Sequence, residues 1–233
     1  QLLQQHPCPD CAFPDFFSIY KTLEDLGKEI FTLNDVIKIT GQKKEVVKST
    51  LTRLVKQKKI YRLKRRYYSL QKTENKFLYQ TLYNKTYIGL YSALEFYGTT
   101  TQRYNNLDLV TGTTLNNQKV EDTKIIFHKV KVNLFFGFEK HQVDKTDVFV
   151  SNIEKTMIDC VYFSSHIYLS EINDFIRSRK KEIDIEKLYK YLKKIHSAVL
   201  NKRLGYLLDI NGISLDDLEI NNKYDRLNIN LGK

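Results

Sequence analysis

The chain has 233 residues, 42% of them hydrophobic and 28% charged, with only 3 prolines and 9 glycines, a balance that excludes a mainly disordered or collagen-like polymer and leaves room for two modest domains. Lysine and arginine exceed aspartate and glutamate by 11, which points to a polyanionic partner. No stretch approaches the roughly 18 apolar residues that span a bilayer, and Gln1 to Phe17 carries prolines and an acid where a signal peptide needs an apolar run, so a cytoplasmic protein with no membrane partner is expected.

Residues 1–15 read as an N-terminal arm. His6, Cys8 and Cys11 there have the look of half a zinc site, but no second CxxC follows, and the remaining cysteine, Cys160, falls in an apolar helical pattern. A free-thiol turn is the preferred reading, and no metal or other cofactor is expected. From Phe16 to Leu26 the apolar residues recur at three and four, which predicts an amphipathic helix closed by Gly27. Thr32 followed by Asp35 reads as a capping box opening a short helix that ends at Gly41. A third helix is predicted from about Lys43 to Lys58, with Val47, Leu51, Leu54 and Val55 inward and Lys44, Lys48, Thr52 and Lys56 outward. Ile60–Leu63 and Tyr67–Leu70 are strand-like, separated by Lys64, Arg65 and Arg66 as the tip of a hairpin. Helix, helix, turn, helix and basic hairpin is the order of a winged helix-turn-helix, assigned to residues 16–72.

Residues 73–233 read as a second, α/β domain with a small sheet and a helical C-terminal part. Gln71 to Gln80 is polar and is expected to be a helical connector or a short linker, and Tyr87 to Gly98 a buried helix stopped by glycine. Strands are predicted at Leu107–Val110, Lys124–Val130 and Asp147–Val150, with Asn133–Val143 as a further strand or hairpin arm. Helices are predicted at Ile153–Phe163, Leu169–Ser178, Ile185–Ile195 and Ala198–Ile210. The fold class is therefore α+β or α/β.

The charge is unevenly placed. Residues 1–80 hold 16 basic and 8 acidic side chains, and Lys43 to Arg66 contains eleven lysines or arginines against the single acid Glu45. Such a density suits the DNA backbone. The candidate DNA contacts are Lys43, Lys44, Lys48, Ser49, Thr52 and Arg53 on the third helix, where Lys48 and Arg53 could pair with guanine and the hydroxyls could meet bases or phosphates, and Lys64, Arg65 and Arg66 at the hairpin tip. A second basic run, Arg177 to Lys194, could extend a DNA footprint, touch tRNA or a toxin, or be a solvated helix face.

With the N-terminal helices and hairpin, three stretches carry a resemblance: Gly89 to Gly98, Val150 to Asp159, and Arg203 to Leu208. Together they resemble the AbiEi family of antitoxins, over most of the chain after about residue 16. The resemblance implies an N-terminal winged helix that represses its operon and a C-terminal domain, similar in outline to the restriction-endonuclease-like fold, that acts as antitoxin in type IV toxin-antitoxin and abortive-infection systems. It implies double-stranded operator DNA as a partner, with a nucleotidyltransferase-like toxin and a homodimer as further candidates. One departure concerns the wing, where the glycine expected before its tyrosine is Arg66.

Catalysis is not expected. Asp108, Asp122 and Lys124 fit the text of a PD-(D/E)xK nuclease, which holds a divalent metal between two acids and a lysine, but Asp122 precedes its strand in a polar loop. No Ser/His/Asp order, P-loop or glycine-rich phosphate loop is present. The alternatives to a repressor and antitoxin are thus a metal-dependent nuclease targeted by the winged helix and a module that binds a toxin. Glu154 and Asp159 read as structural, Glu154 because an acid favours a helix N-terminus, and Arg203 as a partner for a carboxylate of the core.

Overall fold

The computed structural model describes residues 16–100 and 105–215; His6, Cys8 and Cys11 lie outside them. The chain divides into two compact units, one comprising residues 1–82 with 142–147, the other 83–141 with 148–233.

The N-terminal unit is built from α1 (Phe16–Asp25), β1 (Ile30–Thr32), α2 (Leu33–Thr40), α3 (Lys44–Lys56), β2 (Tyr61–Lys64) and β3 (Tyr67–Ser69). Helix α1 ends where Gly27 turns to φ 64°, and α2 ends on Gly41 at φ 65°, the left-handed region that glycine enters without a Cβ penalty. The capping box forms: Asp35 N–H donates to Thr32 Oγ1 at 3.2 Å, and Thr32 N–H donates to Asp35 Oδ2 at 2.8 Å. The inward stripe of α3 is as the spacing predicts for Val47, Leu51 and Leu54, which join Ile19, Leu23, Phe31, Val36, Ile60 and Tyr68 in one core, while Val55 is only half-buried.

Two features depart from the sequence reading. Ile30–Thr32 is a strand, pairing antiparallel with β3 in a sheet of order β1-β3-β2. The stretch read as a helical connector or short linker is helical in part, as a 3-10 helix at Lys76–Leu82, but its Leu78, Tyr79, Gln80 and Leu82 are buried rather than solvated.

The C-terminal unit holds a mixed six-stranded sheet of order β6-β7-β5-β4-β9-β8, from β4 (Thr86–Ile88), β5 (Asn106–Thr111), β6 (Gln118–Val120), β7 (Thr123–Lys129), β8 (Phe138–Val143) and β9 (Thr146–Ser151). β5 runs parallel to β7 and antiparallel to β4, β4 parallel to β9, and β6 antiparallel to β7. Its helices are α4 (Leu90–Phe96), α5 (Ile153–Tyr162), α6 (Leu169–Arg179), α7 (Ile185–Ile195) and α8 (Ala198–Asp209). The apolar run read as one helix from Tyr87 is divided: Thr86–Ile88 is a central strand, and α4 begins only after Gly89. A Cβ on Gly89 would lie 2.7 Å from Val110 Cγ2, so the helix can approach the sheet only over a glycine. The core joins Tyr87, Leu94 and Val110 to Met157, Ile158 and Cys160 of α5 and to Ile172, Phe175, Leu188, Leu192, Leu204 and Leu208 of the following helices. The fold is mixed α+β. No helix among the described residues is long and apolar enough to cross a membrane.

Candidate nucleic-acid interface

Helix α3 presents its charge because its other face is buried. With Val47, Leu51 and Leu54 inward, the helical period leaves Lys44, Lys48, Ser49, Thr52 and Arg53 exposed, together with Lys43 at the N-cap position. None of the cations in that set makes an ion pair among the described residues. Nearby charge is handled differently: Lys28 is held by Asp35 of the capping box. Burial raises the Asp35 carboxyl, but the Lys28 and Thr32 hydrogen bonds outweigh it and hold the group below the usual carboxylate range.

The two hydroxyls expected to meet DNA are already engaged. Ser49 Oγ donates to Val46 O and Thr52 Oγ1 to Lys48 O, both at 2.8 Å. Their protons are committed to the helix, so in this arrangement each can only accept. That favours amino groups on base edges over phosphate oxygens, which need a donor.

The expected triply basic tip is narrower than the sequence suggested. Lys64 is the last residue of β2, paired in register with Tyr67, and only Arg65 and Arg66 form the turn. Lys64 is half-buried, and burial pushes its ammonium below the usual lysine range. Arg66 adopts φ 72°, so the tight turn forms without the glycine. Its carbonyl accepts from Leu33 N–H at 3.1 Å, which ties the turn to the start of α2. Both arginines are exposed. Arg62, exposed on β2, adds a guanidinium outside the expected set; burial on the strand does not follow its alternation of polarity, since Tyr61 is exposed as well.

Several polar groups of the C-terminal unit are buried in hydrogen-bonded clusters. Lys155 and Asp159 are ion-paired, each 1% exposed, and Tyr87 Oη donates to Asp159 Oδ2 at 2.8 Å while accepting from Lys155 Nζ at 3.0 Å. Glu154, 3% exposed, accepts from Asp184 N–H at 2.9 Å and pairs with Lys187 at 3.3 Å, which agrees with a structural role. Asp108 is buried with its carboxylate on His128 Nε2 at 2.8 Å, whereas Asp122 and Lys124 are exposed. Arg203 meets the Ser164 hydroxyl at 3.3 Å. Among the described residues no group of three or more His, Cys, Asp or Glu is placed to hold a metal ion.

No family model and no curated protein matches the sequence. Among solved structures, the chain is similar to the Rv2827c protein from Mycobacterium tuberculosis, with a TM-score of 0.59 at 10% identity over 84% of this chain and 77% of that one. At that identity the likeness concerns the fold.

Proposed function

We propose that the protein is a sequence-specific DNA-binding transcriptional repressor whose N-terminal unit is a winged helix-turn-helix. The observation that carries this reading is the row of exposed, unpaired cations on α3, on a scaffold of α1, α2 and α3 with a three-stranded antiparallel sheet. In this reading α3 enters the major groove, Lys48 and Arg53 address guanine edges, Ser49 and Thr52 accept from base amino groups, and Arg65 and Arg66 of the wing contact phosphates or the minor groove. The antitoxin role in a type IV system is supported by the resemblance of Val150–Asp159 and Arg203–Leu208 to AbiEi sequences. Operator DNA, a nucleotidyltransferase-like toxin, a homodimeric state and a cytoplasmic location belong to the same proposal.

The test is binding of the purified protein to its own upstream DNA against a scrambled duplex, titrated across salt. The expected outcome is a preference of about a hundredfold or more, with log affinity falling linearly against log salt. Lys48→Ala with Arg53→Ala should erode the preference, whereas Arg65→Ala with Arg66→Ala should weaken both duplexes alike. Equal binding of the two duplexes by the unaltered protein would rule out a sequence-specific repressor.

A further inference from the structure

Apart from Lys181, exposed on the 3-10 turn after α6, the basic residues from Arg177 to Lys194 divide into two kinds. Arg177 pairs with Asp174, Arg179 with Glu182, and Lys187 with Glu139 and Glu154, while Lys180 donates to the Asn211 carbonyl at 2.6 Å. Lys190, Lys193 and Lys194 are exposed on α7 and have no acidic partner among the described residues. Glu186, one turn before Lys190, makes no ion pair with it.

Two of these ammonium groups are nonetheless held in place. Lys193 Nζ stands 4.4 Å from the centroid of the Tyr189 ring, and Lys194 Nζ stands 4.0 Å from that of Phe136. Phe136 is fixed edge-on by Tyr191 at 4.9 Å, and the Tyr191 hydroxyl accepts from Asn152 Nδ2 at 3.0 Å. A ring face positions a cation without consuming any of its N–H donors. Like charges one turn apart work against a helix. The helix dipole offsets that for Lys193 and Lys194 in the last turn but not for Lys190.

We infer that this face of α7 is a second DNA-binding surface, at which Lys190, Lys193 and Lys194 donate to phosphates of duplex DNA. A single strand is gripped by bases stacked on open aromatic faces, and here both ring faces already carry a lysine. Protein interfaces deplete lysine and present aromatic side chains as anchors, whereas these rings lie half-buried beneath their own cations. Ammonium groups on one helix turn, raised on a fixed aromatic base, complement the evenly charged backbone of a duplex. This surface lies in the C-terminal unit and does not rest on the reading of α3.

The experiment titrates a labelled mixed-sequence duplex across salt with four full-length proteins: unaltered, Lys48→Ala/Arg53→Ala/Arg65→Ala, Lys190→Gln/Lys193→Gln/Lys194→Gln, and the combination. Each phosphate contact contributes about 0.9 to the slope of log affinity against log salt, so the glutamine changes should flatten it by about 2.7 and weaken binding about tenfold or more at low salt, in both backgrounds. Arginine at the same positions should restore the slope. An unchanged slope in both backgrounds, or no recovery with arginine, overturns the α7 contact. So does a single strand of the same sequence bound with equal affinity, or polyglutamate that displaces the duplex as well as DNA of matched charge. Failure of the α3 reading registers separately, as an unaltered preference of the first variant for its upstream DNA over the scrambled duplex.

Discussion

Arg66 occupies a backbone region, φ 72°, that glycine enters freely and other residues enter at a cost of order 1 kcal/mol. The chain bears that cost at an exposed turn, and under the proposed repressor reading the guanidinium there contacts DNA. Arg66→Gly is therefore expected to raise the thermal stability of the protein by up to about 1 kcal/mol while lowering duplex affinity. A melt and a titration on the same variant decide it: a gain in stability with no loss of affinity would show that the side chain is idle. Lys64 shows the limit of reading residues by their neighbours. In the sequence it is one of three consecutive cations, but strand pairing places it opposite Tyr67 and half-buries it, which no count of charge could reveal.

At the scale of elements, local chemistry was most legible where several signals agree. The α2 start combines Thr32, Asp35 and an apolar stripe, and its end is a glycine; α3 and α7 carry a clear 3.6-residue period. β1 and β6 are three-residue strands, too short for alternation to register, and exist because a neighbouring strand supplies the hydrogen bonds, β3 for the one and the longer β7 for the other. β4 was hidden for the opposite reason: Thr86–Ile88 and α4 are both buried, so the apolar run shows no change of period where strand becomes helix. The capping box gives this scale its prediction. Because the Asp35 carboxyl is held below its unfolded value, its contribution to stability is complete above an unfolded pKa of about 4 and is lost as pH falls through the lower folded value. Asp35→Ala should cost about 1 kcal/mol at neutral pH, and the gap between variant and parent melts should close in acid. A gap that persists unchanged at low pH would mean that the carboxylate charge is not what stabilises the cap.

At the scale of the molecule, each unit has its own core, and the candidate contacts lie outside both. That division explains which parts of the site could be read. Exposed cations on a helix with a buried stripe are set by local period alone. The Lys155, Asp159 and Tyr87 cluster needs tertiary structure, since Tyr87 lies on β4 and the other two on α5. The Glu154-Lys155-Thr156 stretch is interior, with all three side chains buried. Lys155→Met should destabilise the C-terminal unit by about 3–5 kcal/mol by leaving Asp159 buried without its counter-ion, and adding Asp159→Leu should recover most of the loss. Denaturant melts of the single and double variants test this, and a double variant no more stable than the single one would count against the charge pair as the cause.

The turn between β8 and β9, with Asp144 at φ 46° and Lys145 at φ 62°, falls within residues 142–147 of the N-terminal unit although its strands belong to the sheet of the other. Thr146 Oγ1 donates to the Gly27 carbonyl there at 3.2 Å, and a Cβ on Gly27 would sit 3.0 Å from that of Lys145. A recombination event, a protease or an engineer working with one cut near residue 82 would thus remove part of the very module it set out to free. The unit proposed to read DNA includes six residues, 142–147, that lie in the chain beyond the start of its neighbour, so the two are inherited together.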